Sequence, residues 1–438
     1  MPRISTSLLR KARAIDSFLP ALLAPCRDLP AAQNELRWLR EHVDKVARAR
    51  RAKGDTLAKG ALLRQLVKER ASGKPLQYIL GTEYFGNLEI RCRPGVLIPR
   101  ADTAASIAYL VGLLRNAPGL PSQLRVLDLC TGTGCIPLLF QHELYSTPND
   151  IDLRVLGVDI SEKALRLSYH NLRKVCNARQ YAKKTYLKFM KADVLVNPFA
   201  QQTVRSLSLK AALNHNKQPQ FWDILISNPP YISPSAYWKT TTRSVRGFEP
   251  KLALVPPSRA SQTDEEQGDL FYPRLLAIAQ DVEAKIVLLE VADLEQALRV
   301  ARRAQGLDVF DGIEIWREQP DDARHDVPND DDISILGQGN ARSVICWRGA
   351  GASWLGKATI ATSQQEDAQR LIQSSSESHL NTTPARPDDA GRAEPLFDVG
   401  SFSRSPGRPF RMSKTIPRQG SLERLGNPNY CVKGDSTK

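Results

Sequence analysis

The sequence predicts an α/β protein built on a mostly parallel, doubly wound sheet, with a small helical unit ahead of it and a disordered tail behind. Three observations carry that prediction. From residue 124 to 347, short apolar runs alternate with helical stretches, the rhythm of repeated strand–helix–strand crossovers. From 30 to 70 the apolar residues keep a helical period instead. Beyond about Gly351 the chain turns to Ser, Pro and Arg with no sustained apolar period, and such a stretch cannot bury enough surface to offset chain entropy.

Composition sets the outer limits. The chain has 438 residues, 42% hydrophobic and 25% charged, which suits a sizeable core and excludes collagen-like, fully disordered and disulfide-scaffold classes. Its longest apolar run, 286–292, is broken by Glu290 and is far shorter than the ~20 residues that cross a bilayer. Seven cysteines contain no Cys-x-x-Cys and six histidines no His-Glu-x-x-His. No metal site or disulfide framework is therefore expected, and a reducing compartment fits. The net charge is +14, and residues 1–70 carry 16 basic against 7 acidic side chains. That asymmetry suits either a polyanionic neighbour or a solubilising surface.

The elements follow in order. Residues 1–27 bear Ser and Arg, have Asp16 as their only acid, and space Leu8, Leu9, Ile15, Phe18 and Leu19 roughly helically. No apolar stretch with a small-residue cleavage site follows. The segment reads as a mitochondrial presequence or as an ordinary first helix. Residues 28–85 form the helical domain: Leu36, Leu39, Val43 and Val46 recur at spacings of 3, 4 and 3, then Leu62, Leu63, Leu66 and Val67 after Gly54-Asp55. Residues 86–120 are a connector with a hairpin and a linker helix over 103–115, in a region punctuated by Gly86, Pro94, Gly95 and Pro99.

The sheet domain spans 121–350. Seven strands are expected at 125–129, 153–158, 186–191, 223–227, 285–291, 309–316 and 342–347, the last two as an antiparallel edge hairpin. Insertions at 201–220, 256–269 and 319–332 are expected to be loops, and 351–438 the disordered tail.

Three motifs carry chemistry. The first strand runs into Cys130-Thr131-Gly132-Thr133-Gly134-Cys135. A Gly-x-Gly turn lets backbone approach a ligand closely, and Pro137, where a dinucleotide fingerprint needs a third glycine, argues for another adenosine-bearing ligand. The second strand ends in Asp159, placed for two ribose hydroxyls or equally for capping the helix that follows. The third ends in Asp193-Val194, where the acid suits an adenine amino group or a loop cap. The fourth ends in Asn228-Pro229-Pro230-Tyr231, at the edge of the sheet where ligands bind.

That quartet fits a specific task. A planar amide nitrogen is a poor nucleophile because its lone pair is delocalised. To attack a methyl sulfonium it must be aimed. The Asn228 side-chain oxygen and the Pro229 carbonyl can each accept one amide hydrogen, the prolines hold the backbone rigid, and Tyr231 can pack on the amide face. Orientation of this kind contributes up to ~7–11 kcal/mol. No general base is needed before attack.

The order of motifs resembles the HemK/PrmC-type release-factor glutamine N5-methyltransferases, class I S-adenosylmethionine-dependent enzymes with a Rossmann-like sheet. The likeness covers about residues 30–348. It includes Pro75-Leu76-Gln77-Tyr78-Ile79-Leu80-Gly81, Val96-Leu97-Ile98-Pro99-Arg100, Gly247-Phe248-Glu249-Pro250-Lys251-Leu252-Ala253-Leu254 and Leu288-Leu289-Glu290. The resemblance implies that Cys130, Thr131, Gly132, Thr133, Gly134, Asp159, Asp193, Val194 and Asn228 contact S-adenosylmethionine. It implies that Asn228, Pro229, Pro230 and Tyr231, with Glu249, hold the glutamine of a Gly-Gly-Gln loop. The helical domain would grip the release factor, close to the ribosome. The sequence itself carries no sign of an obligate dimer or a membrane span, so a monomer with no membrane partner and no stable nucleic-acid partner is expected.

Two departures stand out. The family's Ile-Pro-Arg-Pro-Glu-Thr-Glu is here Ile98-Pro99-Arg100-Ala101-Asp102-Thr103-Ala104, and Cys130 replaces a common Gly. The insertions, tail and Arg-rich start look like a eukaryotic organelle member, in the mitochondrial matrix, with the cytoplasm as the alternative. Two other functions fit parts of the pattern: an adenine-N6 DNA or RNA methyltransferase, and an idle ribosome-associated scaffold.

Overall fold

The computed structural model describes residues 4–178, 185–196, 207–259, 262–321 and 333–357. The expected tail beyond 357 and most of the 319–332 insertion lie outside the described residues.

The helical unit starts earlier than the sequence pattern suggested. Thr6–Ile15 is capped by Ser5, whose Oγ accepts from Leu8 N, and Leu29–Arg51 by Asp28, whose Oδ1 accepts from Ala31 N at 2.8 Å. Between them runs Leu19–Cys26, closed by Arg27 in a left-handed conformation. Leu22 and Leu23 are fully buried against Leu36, Leu39 and Leu66, the last on helix Lys59–Ala71. The first 27 residues therefore supply core to the domain that was expected to begin at 28. A bidentate pair from Arg70 to Glu35, at 2.7 and 2.8 Å, staples the two long helices.

The short helix Leu76–Leu80 ends at Gly81 with φ +78°, and the chain turns straight into an antiparallel hairpin, β1 (Thr82–Phe85) and β2 (Leu88–Arg91). The hairpin thus begins before residue 86. Helix Ala101–Arg115 then leads to the main sheet.

Among the described residues that sheet has eight strands rather than seven: β3 (Gln123–Leu129), β4 (Asp152–Asp159), β5 (Thr185–Lys191), β6 (Ile224–Ser227), β7 (Ile286–Glu290), β8 (Gly312–Gln319), β9 (Ser334–Leu336) and β10 (Gln338–Trp347), in spatial order β5-β4-β3-β6-β7-β10-β8-β9. The first five in chain order are mutually parallel where they pair, and β10 runs antiparallel between β7 and β8. The additional strand, β9, is three residues pairing parallel with β8, too short to leave a period in the sequence. Both faces are covered. Leu127 and Leu129 pack into one layer and Leu124 and Val126 into the other, which is why the central strands read as continuous apolar runs.

Two expected loops contain helices. Leu209–His215, capped by Ser208, lies inside 201–220, and Asp264–Gly268, with a reciprocal Thr263–Glu266 capping box, lies inside 256–269. The compact fold also passes residue 350: Ala350–Trp354 is helical and Trp354 and Leu355 are buried. Strand order reverses at β3, flanked by β4 on one side and β6 on the other, and the crevice beyond their carboxyl ends is where such sheets bind ligands.

Candidate active site

Two cavities open on that crevice. The smaller, about 330 Å³, is walled by Val158, Ile160, Val194, Leu195, Pro230 and Phe271, with Asp159 and Asp193 among its polar groups. The larger, about 760 Å³, carries Pro229, Tyr231, Ser233, Asp264, Arg299 and Arg342. Both volumes lie in the range of ligand sites. Four residues line both: Leu97, Arg100, Asn228 and Ala253. Segments far apart in sequence therefore build one shared wall, with Asn228 at the junction.

The smaller cavity is formed by the turn after β3. Cys130 has φ +66°, Gly132 φ +54° and Gly134 φ +76°. A side chain at Gly132 would meet only the Cys130 carbonyl, 4.0 Å away, so the space before it is open to a ligand. Gly134 faces neither cavity. A Cβ there would stand 2.8 Å from the Phe189 ring and 2.9 Å from Ser168 Cβ, so the absence of a side chain lets these residues pack against the turn. Cys130, Thr131, Gly132 and Thr133 do line the cavity.

Asp159 closes β4. Its Oδ2 accepts from Gly132 N and its Oδ1 from Ser161 N, both at 2.8 Å. Burial raises its pKa above the ordinary carboxylate value, while hydrogen bonds from Ser161, Gly132 and Ile160 pull the other way. The helix cap proper is Ser161, whose Oγ accepts from Ala164 N. Asp193 Oδ1 accepts from Leu195 N at 2.9 Å, an Asx turn that leaves the acid in the cavity wall. A largely apolar lining, a turn open to close approach and two acids in the wall suit an adenosine-bearing ligand.

The Asn228–Tyr231 segment divides between the cavities: Pro230 lines the smaller, Pro229 and Tyr231 the larger, and Asn228 both. Ser227 anchors it, its Oγ donating to Leu129 O at 2.8 Å. Asn228 Nδ2 donates to Thr103 Oγ1 at 3.4 Å, Thr103 Oγ1 donates to Glu290 Oε2 at 2.5 Å, and Tyr231 OH donates to Glu290 Oε1 at 3.2 Å. Burial pushes the Glu290 carboxyl up to about 7, against the pull of the Thr103 and Tyr231 hydrogen bonds and Arg342. Burial, with Glu290 beside it, raises the Tyr231 phenol too.

Glu249 does not reach the substrate side. It is 6% exposed and borders neither cavity. Its Oε2 accepts from Ile98 N at 3.0 Å and its Oε1 from Arg100 Nη2 at 2.8 Å. Those bonds hold the 97–100 wall, so Glu249 positions the site rather than touching its contents. The sequence reading also passed over Thr103 and Glu290 as site residues. The available signal was the single charge ending an apolar strand next to β6.

No protein-family model matches the chain. Over 259 residues it is 34% identical to the mitochondrial MRF1 N(5)-glutamine methyltransferase MTQ1 of Saccharomyces cerevisiae, covering 58% of this chain and 68% of that protein. Over 301 residues it is 31% identical to the probable MRF1 mitochondrial N(5)-glutamine methyltransferase mtq1 of Schizosaccharomyces pombe, covering 68% and 87%. A release factor glutamine methyltransferase of Nitratidesulfovibrio vulgaris is 35% identical over 195 residues, covering 44% and 54%.

Proposed function

The chain belongs to the release factor glutamine methyltransferase family, and from that premise we propose how its own residues methylate the side-chain nitrogen of a release-factor glutamine. It is an S-adenosylmethionine-dependent methyltransferase. Bound in the smaller cavity, S-adenosylmethionine supplies an electrophilic methyl group on a sulfonium sulfur. Asp159 and Asp193 are assigned to its ribose and adenine, and Thr131, Gly132 and Thr133 to its backbone contacts. Cys130 and Val194 complete that wall.

The glutamine enters from the larger cavity. Asn228 Oδ1 and the Pro229 carbonyl accept its two amide hydrogens and turn the nitrogen toward the smaller cavity, while Tyr231 covers one face of the amide. Only orientation is required of these residues, which is why a half-buried, hydrogen-bonded asparagine on a rigid Pro-Pro segment suffices. The observation that carries this reading is that Asn228 lines both cavities.

The larger cavity's volume, about 760 Å³, suits an extended loop rather than a free amino acid. The basic helices of residues 6–71 are assigned to the body of the release factor, near the ribosome, with the enzyme acting as a monomer. The two fungal relatives are mitochondrial by name, which supports a mitochondrial site of action, and we infer the matrix as its compartment.

The test uses the purified protein, methyl-labelled S-adenosylmethionine and a mitochondrial release factor, beside that factor's Gly-Gly-Gln loop with Gln→Ala. Label on the first and not the second is expected. Label on both, or on nucleic acid alone, overturns the reading.

A further inference from the structure

We propose that Thr103 and Glu290 form a positioning relay that fixes which end of the Asn228 amide faces the substrate. The proposal rests on the reading of Asn228 given above and deepens it.

Hydrogen-bond direction decides which end of the amide is presented. A threonine hydroxyl has a single proton and two acceptor sites. In the structure Thr103 Oγ1 donates that proton to Glu290 Oε2 at 2.5 Å, the short length of a charge-assisted bond. With its proton committed, Thr103 can only accept from Asn228, and so it selects the Nδ2 end, 3.4 Å away. The Oδ1 end is then the one left for the cavity junction, where an acceptor is needed. Glu290 holds its side of the relay through a second bond, from Tyr231 OH to Oε1 at 3.2 Å. One carboxylate thereby governs both the asparagine and the tyrosine of the substrate-holding segment.

A protonated Glu290 reverses the logic. Its own O–H can be given to Thr103, and the threonine proton becomes free for Asn228 Oδ1. The amide can then flip and present NH2 to the substrate's NH2, a donor against a donor. The groups around Glu290 are Arg342 from β10, Asp102 from helix Ala101–Arg115, Tyr231 from the segment after β6, Tyr272 from helix Tyr272–Asp281 and Cys135 from helix Cys135–Leu144. Arg342 favours the charged form, and its Nε lies 3.1 Å from Asp102 Oδ2. Burial opposes ionisation strongly enough to bring the carboxyl to about 7. The relay therefore works as an ionisation-dependent device within the physiological range.

The experiment measures methyl transfer from labelled S-adenosylmethionine to a mitochondrial release factor between pH 5.5 and 8.5, with S-adenosylmethionine affinity measured for every variant. The wild type is expected to rise with pH through one ionisation at or below about 7 in kcat/KM. Thr103→Val, isosteric without the hydroxyl, should lose roughly 10- to 100-fold in kcat with S-adenosylmethionine binding kept, and Thr103→Ser should return most of it. Glu290→Gln should flatten the profile across this range. A Thr103→Val enzyme with wild-type kcat, or a Glu290→Gln enzyme that keeps the ionisation, overturns the relay. Asn228→Ala in the same assay separates the two claims: if it still transfers methyl normally, the reading of Asn228 itself fails.

Discussion

Thr103 and Asn228, 125 positions apart in the chain, are joined by a hydrogen bond from Asn228 Nδ2 to Thr103 Oγ1. The bond links the helix that enters the sheet domain to the segment that leaves β6. Through Thr103 the asparagine reaches a buried acid at the end of β7. The site is thus a product of three elements whose only common feature is their place at one edge of the sheet.

Glu290 is expected to cost stability. Its carboxyl is raised from 4.5 to about 7 in the folded chain, chiefly by burial. The folded state then binds more protons than the unfolded one between those values, so stability is fullest below about pH 4.5 and declines as pH rises through about 7. The cost above that range is on the order of a few kcal/mol. Thermal unfolding should show Glu290→Gln gaining stability over the wild type at pH 8 and little at pH 5. An equal gain at both values would separate the residue's stability effect from its ionisation.

Asp159→Ala should weaken S-adenosylmethionine binding by roughly 10- to 100-fold, the worth of one or two charge-assisted hydrogen bonds. Part of the loss would come from the turn itself, because Gly132 N gives up its partner. Calorimetric titration of the ligand checks this, and an unchanged affinity would remove Asp159 from the ribose role.

Glu249→Ala should loosen the shared wall without deleting any group that lines it. Ile98 N and the Arg100 guanidinium both lose their acceptor, for about 1–3 kcal/mol of folding stability. Activity should fall in kcat and KM together, since Leu97 and Arg100 border both cavities. A variant with normal stability and a defect in release-factor KM alone would return Glu249 to direct contact.

Cys130→Gly should stabilise the protein by about 1 kcal/mol. The cysteine sits at φ +66°, a left-handed conformation that costs a non-glycine residue roughly 1–2 kcal/mol, partly offset by the greater entropy that glycine loses on folding. Denaturant midpoints read the difference. A destabilised variant would mean that the Cys130 side chain contributes more packing than its backbone loses.

Removing residues 2–26 should destabilise the helical unit, because Leu19, Leu22 and Leu23 leave its core. Each buried leucine contributes roughly 1.5–3 kcal/mol. A truncated protein that melts like the full chain would mark this segment as dispensable leader.

The two levels of description can be separated on particular residues. The alternation of apolar runs was enough for the sheet, since strands buried on both faces leave continuous Val, Leu and Ile stretches such as 224–226 and 286–289. The turn at Gly132 and the Asn228–Tyr231 quartet were legible because their backbone and side-chain chemistry is local. The three-residue β9, the helix Leu209–His215 and the retention of residues 350–357 in the fold were not, because each is too short for a period and is held by tertiary contacts.

Glu249 and Gly134 show what spacing along the chain leaves open. Both lie inside recognisable motifs, yet one holds Ile98 and Arg100 and the other makes room for Phe189 and Ser168. Membership of a motif fixes a residue's neighbourhood but not the direction of its side chain. By itself the sequence determined the fold class and located the glycine turn and the Asn228–Tyr231 segment, all of which depend on residues close along the chain. Only the tertiary structure decided that Asn228 stands between two cavities and is joined through Thr103 to the buried Glu290. Burial and hydrogen-bond direction are properties of space, and no spacing along the chain encodes them.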